Sequence, residues 1–387
     1  MKKIKIVRIV TIPFALISLL GLFDFLCNDE SFEVHIISDK GPFLDVLKSR
    51  YPHFKFHTIN ISRKVNPIND LRALINLSKI FLEEKFDIVH SLTPKAGILS
   101  GLAGFLTLTP IRLHTFTGQV WVDYKGFKRL FFKSIDNFIC ILNTQNFVDS
   151  PSQRQYLLDN HVGSSDKLIV LHKGSIAGIN IEKFNPRNVK VRSKALRESL
   201  FPGFDGKIIL YLGRINNDKG LKELGTAFFE LKKKYKLKLL VVGPEEPVSL
   251  EISLILNKLK KDKDASFIGF VSKTEDYYGA SDIYCLPSYR EGCPTSILEA
   301  SAMEKPIVAS NIYGISDITI DKQTALLFEP RNAKDLEFKL EALIINDEFS
   351  KKLGLAGRQY VCEDFAERIL TEKMIAEYLR FMQKRTI

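Results

Sequence analysis

Two carboxylates, Glu291 and Glu299, stand eight positions apart across a Gly-x-Pro turn in Glu291-Gly-Cys-Pro-Thr-Ser-Ile-Leu-Glu299. The apolar segment before them, Asp282-Ile-Tyr-Cys-Leu-Pro-Ser, predicts a short buried strand. Pro294 suits the first turn of a helix, where its missing N–H costs nothing. Cys293 and Pro294 are therefore expected to open a helix whose unpaired N–H groups face the strand end, an arrangement that binds anions. With Glu291 before the helix and Glu299 about two turns along it, the two cannot form one tight carboxylate pair. They suit contacts to two parts of one elongated anionic ligand; a surface loop with an ordinary amphipathic helix is the alternative. A second cluster is Leu212-Gly-Arg-Ile-Asn-Asn-Asp-Lys-Gly220. Gly213 allows a sharp turn at a strand end, and Arg214 and Lys219 can converge on one guest. A nucleotide diphosphate fits, since Arg engages it bidentately and Lys as a point charge; a plain β-to-α loop is the other reading.

These residues need a scaffold that brings strand ends together. Strand-like runs at Ile4–Val10, Val34–Ser38, Ile88–Ser91, Arg112–Phe116, Phe138–Leu142 and Leu168–Leu171 alternate with helical patterns. A second series follows at Lys207–Leu212, Leu237–Val242, Ser266–Phe270, Ile283–Pro287 and Pro306–Ala309. Such alternation predicts an α/β protein of two doubly wound, Rossmann-like domains facing a cleft. In open parallel sheets the carboxyl ends of strands bind ligands, and both clusters fall there. The expected domains are 1–185 and 206–365, with 366–387 a helix that can return to the first. The polar, basic stretch from Glu182 to about Asp205 reads as a linker followed by a surface segment.

At 387 residues the chain exceeds one ordinary core. Its 45% hydrophobic and 26% charged content is that of a soluble globular protein. Five scattered cysteines without a C-x-x-C pair indicate neither a disulfide framework nor a zinc site. The basic start Met1-Lys-Lys-Ile-Lys with the apolar run Val10 to Phe23 admits an export signal. Pro13, Asp24 and the lack of a small-residue cleavage site favour a strand leading into a helix. No stretch reaches the ~20 apolar residues of a membrane span. The net charge of +11 comes largely from Lys runs read as solvated faces. Between His114 and Arg129, however, basic residues alternate with aromatics. There Trp121, Tyr124 and Phe127, with Lys125, Lys128 and Arg129, suit an anionic membrane surface or partial core packing. No nucleic-acid-binding motif is present, and no nucleic-acid partner is expected.

The motifs Gly213-Arg214…Lys219-Gly220, Val241-Val-Gly-Pro-Glu245, Phe267-Ile-Gly-Phe-Val271, Glu291-x7-Glu299 and Pro306-Ile-Val-Ala-Ser…Gly314-Ile resemble, in type and order, the retaining glycosyltransferases of GT-B family 4. In the first half, Asp87-Ile-Val-His-Ser-Leu-Thr-Pro-Lys-Ala-Gly97 and His114-Thr-Phe-Thr-Gly-Gln-Val-Trp121 resemble a narrower group. That group extends lipid-linked oligosaccharides in bacteria and includes N-acetylgalactosaminyltransferases acting on undecaprenyl-diphosphate-linked bacillosamine. The resemblance implies a UDP-N-acetylhexosamine or UDP-hexose donor and a polyprenyl-diphosphate-linked saccharide acceptor. The cysteine pattern fits a reducing cytoplasm and the basic, aromatic-rich stretch the inner face of its membrane, so a cytoplasmic location, peripheral on that face, is expected.

By the same resemblance, Arg214 and Lys219 neutralise the departing diphosphate and Glu291 holds hydroxyls of the transferred sugar; these three are the expected catalytic residues. Gly213, Gly292, Cys293, Pro294 and Thr295 add backbone to the donor site, Glu299 takes the ribose hydroxyls, and Phe270 and Val271 border the base. Neither a cofactor nor a metal is expected: the lone Asp-x-Asp, Asp262-Lys-Asp264, lies in a Lys-rich loop, and Arg214 and Lys219 take a metal's place. On the acceptor side stand Lys95, His114, Thr117 and Gln119; for Lys95 an exposed side chain in a helix-capping loop is the equal alternative. Two departures from the family pattern qualify that side. The first-strand loop Val10-Thr-Ile-Pro-Phe-Ala has no glycine, and Thr117-Gly118 occupies the place of a His-Gly. His114, three positions earlier, falls on the opposite face of its strand and reads equally as structural, as does His90. Alternatives are a noncatalytic sugar-nucleotide-binding subunit and a sugar-nucleotide epimerase of the same fold; oligomeric state is left open.

Overall fold

Parallel strands cannot be joined by tight turns, so each added strand requires a crossover, here almost always a helix laid on the sheet. The computed structural model describes residues 3–62, 66–122 and 124–386; Met1 and Lys2, at the head of the basic start, lie outside the described residues. The chain forms two compact units, Met1–Gly178 with Glu367–Ile387, and Ile179–Ala366.

The first unit holds a seven-stranded sheet: β1 (Ile4–Ile9), β2 (Phe32–Ser38), β3 (Lys55–Thr58), β4 (Ile88–Ser91), β5 (Ile111–Phe116), β6 (Gln145–Val148) and β7 (Leu168–Val170). Their order is β3-β2-β1-β4-β5-β6-β7, all parallel, so the direction of winding reverses between β1 and β4. The run Val10 to Phe23 is part of this unit's core: Val10, Leu16, Leu19, Leu22 and Phe23 are buried in it. The helix Glu367–Thr386 adds Leu370, Met374 and Tyr378 to the same cluster.

The second unit holds β8 (Lys207–Leu212), β9 (Leu237–Val242), β10 (Ala265–Ile268), β11 (Ile283–Leu286), β12 (Ile307–Ser310) and β13 (Leu326–Phe328). They run parallel in the order β10-β9-β8-β11-β12-β13, with the reversal between β8 and β11. Helices cover both faces, so the central strands are continuously apolar rather than alternating; Ile209, Leu210 and Tyr211 are all fully buried. Ile179 N–H donates to the Phe365 carbonyl at 2.8 Å, closing this unit where its two ends meet.

Three sequence expectations are corrected. Phe138–Leu142 is the last turn of a helix, Gly126–Leu142, and the strand lies just beyond, at Gln145–Val148. A five-residue apolar run does not reveal its period, yet Ile139, Cys140 and Leu142 face inward while Phe138 and Ile141 are exposed, the helical alternation. The segment from Glu182 to Asp205 is not a loose linker but contains the helix Pro186–Leu200, capped by Asn185, whose side chain accepts from Arg187 N–H. Arg197 fastens it to Asp282 at 2.9 Å and to the Gly206 carbonyl at 2.7 Å. Trp121, offered as a membrane-facing aromatic, is fully buried and donates its indole N–H to Asp136 at 2.7 Å.

Where Pro186–Leu200 meets the helix Thr274–Ala280, Gly279 leaves no room: a Cβ there would stand 2.0 Å from Ser193 Oγ. Gly279→Ala is expected to overpack the contact and cost about 1–3 kcal/mol. The denaturant midpoint of the second unit should fall accordingly, and adding Ser193→Gly should restore part of it.

Candidate active site

The site of the second unit is assembled from the loops that leave β8 and β11, neighbours at its reversal point. After β8, Gly213 N–H continues the ladder to the Val242 carbonyl at 2.9 Å, and Tyr211 Oη holds the Arg214 carbonyl at 2.7 Å. Asn216 then caps the short turn Asn217–Lys219. Gly220 follows at φ +62°, where a Cβ would fall 1.9 Å from the Pro287 carbonyl oxygen, so the first loop lies directly on the second. Tyr289 N–H donates to the Asp218 carbonyl at 2.8 Å. Arg290 reaches back to the Asp218 carboxylate at 2.6 Å, and Lys219 Nζ crosses to Glu291 Oε1 at 2.5 Å. The Lys219 and Glu291 side chains are only 13% and 14% exposed. Arg214 is more open and pairs with Glu246 Oε1 at 2.7 Å. Every cation at the site thus already holds a carboxylate.

The helix after Glu291 spans Thr295–Ala302, with Pro294 as its N-cap and no side-chain cap. It therefore begins one residue later than the sequence indicates, because Pro294 has an extended ψ of 109°. Cys293 and Thr295 flank this start, and Gly292 is buried beneath it. Gly314, at φ +80°, would place a Cβ 2.2 Å from the Gly292 carbonyl oxygen, so a third loop closes on the same point. Glu299 lies further along the helix and accepts from Tyr278 Oη at 3.0 Å. Burial pushes its carboxyl up to about 7, against the opposing pull of the Tyr278 hydroxyl. Phe270 and Val271 sit beyond β10, two strands from β8, and line a surface pocket of about 680 Å³ with Arg192, Lys273 and Tyr277. Asp262 and Asp264 are held by Lys232, each at 2.6 Å, and Asp264 also by Lys238 at 2.7 Å.

In the first unit, the ends of β1 and β4 join through Thr11 N–H, which donates to Thr93 Oγ1 at 3.1 Å. Lys95, at the start of the helix Pro94–Leu106, pairs with Asp70 at 2.6 Å. His114 is buried, 2.9 Å from Ser91 Oγ, with its ring against Gly97 of that helix. Burial, aided by the Arg8 charge, lowers it to about 3, so the ring is neutral. Thr117 is exposed, whereas Gln119 is buried and accepts from Gln153 Nε2 at 3.2 Å. Gln153 in turn accepts from Asp149 N–H at 2.7 Å. Burial raises the Asp149 carboxyl to about 8. The sequence reading did not single out Asp149, Gln153, Asp218, Glu246, Tyr278 or Arg290. Asp149-Ser-Pro, a capping pattern directly after a strand, was the one local signal available.

Glu299 fixes a pH response. An unfolded glutamate loses its proton near 4.5, whereas this one keeps it to about 7. Between those values the folded chain binds more protons, so stability falls as pH rises through that window. Glu299→Gln is expected to flatten this fall, its melting temperature gaining on wild type between pH 5 and pH 8 in parallel thermal scans.

Residues 193–360 match the family model described as glycosyl transferases group 1, and residues 24–135 that of glycosyl transferase 4-like proteins. The chain is 31% identical over 386 residues, 99% of each protein, to the capsular polysaccharide biosynthesis glycosyltransferase CapM of Staphylococcus aureus. It is 26% identical to the N,N'-diacetylbacillosaminyl-diphospho-undecaprenol alpha-1,3-N-acetylgalactosaminyltransferase of Campylobacter jejuni, covering 92% of this chain and 93% of that one. Among solved structures, Anabaena Alr3699/HepE in complex with UDP and glucose superposes with a TM-score of 0.81 at 15% identity, covering 97% and 99% of the two chains. Two parallel, doubly wound units with a set of cations at one reversal point agree with these likenesses, and the chain belongs to the group 1 (family 4) glycosyltransferases of GT-B fold.

Proposed function

We propose that the protein is a retaining glycosyltransferase moving a sugar from a UDP-N-acetylhexosamine or UDP-hexose to a polyprenyl-diphosphate-linked saccharide. The observation that carries the reading is the crossing of Lys219 to Glu291 between the β8 and β11 loops, beside Arg214 and the uncapped helix start at Thr295. Charge grows on a nucleoside diphosphate as its sugar departs, and cations fixed before the reaction stabilise that growth without reorganising. At an effective dielectric near 20, unit charges 4 Å apart interact by about 4 kcal/mol. A diphosphate carries more charge than one carboxylate and competes for Arg214 on better than even terms. The exposed Arg214–Glu246 pair is itself worth only about 0–1 kcal/mol, so the exchange costs little.

The Lys219–Glu291 pair is more buried and stays. A carboxylate accepts at two oxygens, so Glu291 can hold Lys219 through Oε1 and a sugar hydroxyl through the other. Glu299 takes ribose hydroxyls once ionised, and Phe270 and Val271 border the base. The acceptor's saccharide and diphosphate meet the loops at Thr11, Lys95 and Thr117 of the first unit. The cations supply the leaving-group stabilisation, so transfer runs in the presence of a chelator. The lipid-diphosphate acceptor named for the Campylobacter relative and the UDP and glucose held by the Anabaena structure support the substrate classes.

The test incubates the full chain in EDTA with a panel of UDP- and GDP-sugars, with and without polyprenyl-diphosphate saccharides. Acceptor-dependent nucleotide release is expected, with product of unchanged anomeric configuration by NMR. Lys219→Ala should lower kcat by about 100-fold or more, and Glu299→Gln should chiefly raise the donor KM. Donor binding without release under any pairing would instead identify a binding subunit, and a sugar-nucleotide isomer formed without acceptor an epimerase.

A further inference from the structure

One face of the first unit's sheet turns polar toward its edge strand, β3. Residues two apart on a strand share a face, so Glu33 and His35 of β2 stand beside Lys55 and His57 of β3, with Lys5 of β1 opposite Glu33. The helix Pro67–Glu84 covers this face, clustering Ala73, Leu77 and Phe81 with Val7, Ile9 and Ile37. Its last residue, Glu84, comes down on the polar end, 3.9 Å from His35 Nε2. His35 is fully buried with its ring edge-on to Phe86, while His57 and Glu84 are half-buried. His35, His57 and Glu84 each place a ligand atom within 4.8 Å of the others.

We propose that His35, His57 and Glu84 bind a zinc-class transition-metal dication. The hydrogen bonds around His35 prepare it as a ligand. Its Nε2 lies 3.0 Å from Glu33 Oε1, and a carboxylate salt-bridged to Lys55 at 2.7 Å can only accept there. The ring proton therefore sits on Nε2, and the Nδ1 lone pair points at His57 Nε2, 2.9 Å away. A carboxylate on the far nitrogen is the usual support of a metal-bound imidazole. Zinc–nitrogen bonds of about 2.0–2.1 Å in a tetrahedral site separate two nitrogens by roughly 3.3 Å, so the imidazole pair need open only slightly. His57 then carries its proton on Nδ1. Lys5 and Lys55 hold Glu84 at 3.3 and 3.7 Å, but they also hold Glu33 at 3.7 and 2.7 Å. Glu84 can thus turn to the ion while both lysines keep Glu33. Two imidazoles and one carboxylate suit zinc, nickel or copper, whereas magnesium and calcium want oxygen ligands throughout. An ion here would tie the edge strand to the helix end, toward the amino ends of the strands and away from the loops at Thr11 and Lys95.

The inference rests on these contacts, not on the transfer reading, and its test reads metal binding alone. The full chain, without a histidine tag and stripped with a chelator that is then removed, would be titrated calorimetrically with zinc and, in parallel, with magnesium. One saturating equivalent of zinc is expected, with a raised melting temperature, and no response to magnesium. His57→Gln should abolish the zinc heat while circular dichroism is unchanged. Glu84→Gln, at a partly exposed helix end, and Glu33→Ala, behind His35, should each weaken zinc by about 10–100-fold. Cobalt in place of zinc should show ligand-field bands without thiolate charge transfer, which separates this site from the five free cysteines. No saturable zinc binding, zinc binding unchanged in His57→Gln and Glu84→Gln, or a thiolate band with cobalt overturns the proposal.

Discussion

The candidate site of the second unit depends on one close approach, the contact of Gly220 with the Pro287 carbonyl. A parallel sheet that reverses its winding between β8 and β11 leaves two loops over adjoining strand ends, and they collide unless one lacks a side chain. Glycine at φ +62° resolves both demands, turning the chain left-handed and leaving room for the oxygen. Once the loops touch, their charges interlock reciprocally. The first loop sends Lys219 to Glu291 of the second, and the second returns Arg290 to Asp218 of the first. Neither pair joins neighbours in sequence, so both exist only because the backbones meet.

This interlocking also explains how several cations remain clustered without a guest. Unpaired, Lys219, Arg214 and Arg290 would repel one another and their side chains would move apart into solvent. Carboxylates hold them in place in two grades. Lys219 and Arg290 are tied across the loops, in pairs that double as structural clamps. Arg214 is tied only to Glu246 on an exposed margin, where the bond is weak and exchangeable. Two cations are thus fixed across the loops and one is held on an exchangeable margin. Glu299 differs again: buried and hydrogen-bonded to Tyr278 rather than to a cation, it stays protonated to about 7. Its ionisation is thus coupled to whatever displaces its surroundings.

Most of the strand framework was legible, because buried parallel strands write themselves as short continuous runs of branched apolar residues. Ile283–Leu286 and Lys207–Leu212 were readable on that ground. Lys55–Thr58 was missed because it is an edge strand with polar, partly exposed side chains, which carry no such run. Phe138–Leu142 failed for the opposite reason: its outward residues are apolar too, so exposure left no polar mark. Trp121 was misplaced because basic and aromatic residues interleave in sequence even where the indole points inward. At the site, residue types and loop positions announced Arg214, Lys219, Glu291 and Glu299. Their partners Glu246, Asp218 and Tyr278 lie on other loops or helices and had no local pattern, so the state of the cations was invisible until the fold brought them together.

The first unit shows the same separation of frame from contact surface. Arg8 and His90 face each other across β1 and β4. The Arg8 guanidinium, fully buried, contacts His90 Nδ1 and donates to Tyr378 Oη at 2.8 Å. Burial, with the Arg8 charge, holds His90 far below its ordinary value, so it serves as a neutral hydrogen-bonding link, with Thr115 Oγ1 2.8 Å from its other nitrogen. Tyr378 comes from the last helix, which means that the chain's return is required to satisfy a charge buried on its first strand. His114 is spent in the same way beneath Pro94–Leu106. With both histidines committed to the frame, what the unit offers at its strand ends is loop backbone, threonine hydroxyls and the Lys95–Asp70 pair. That surface can change its side chains without disturbing the buried links below.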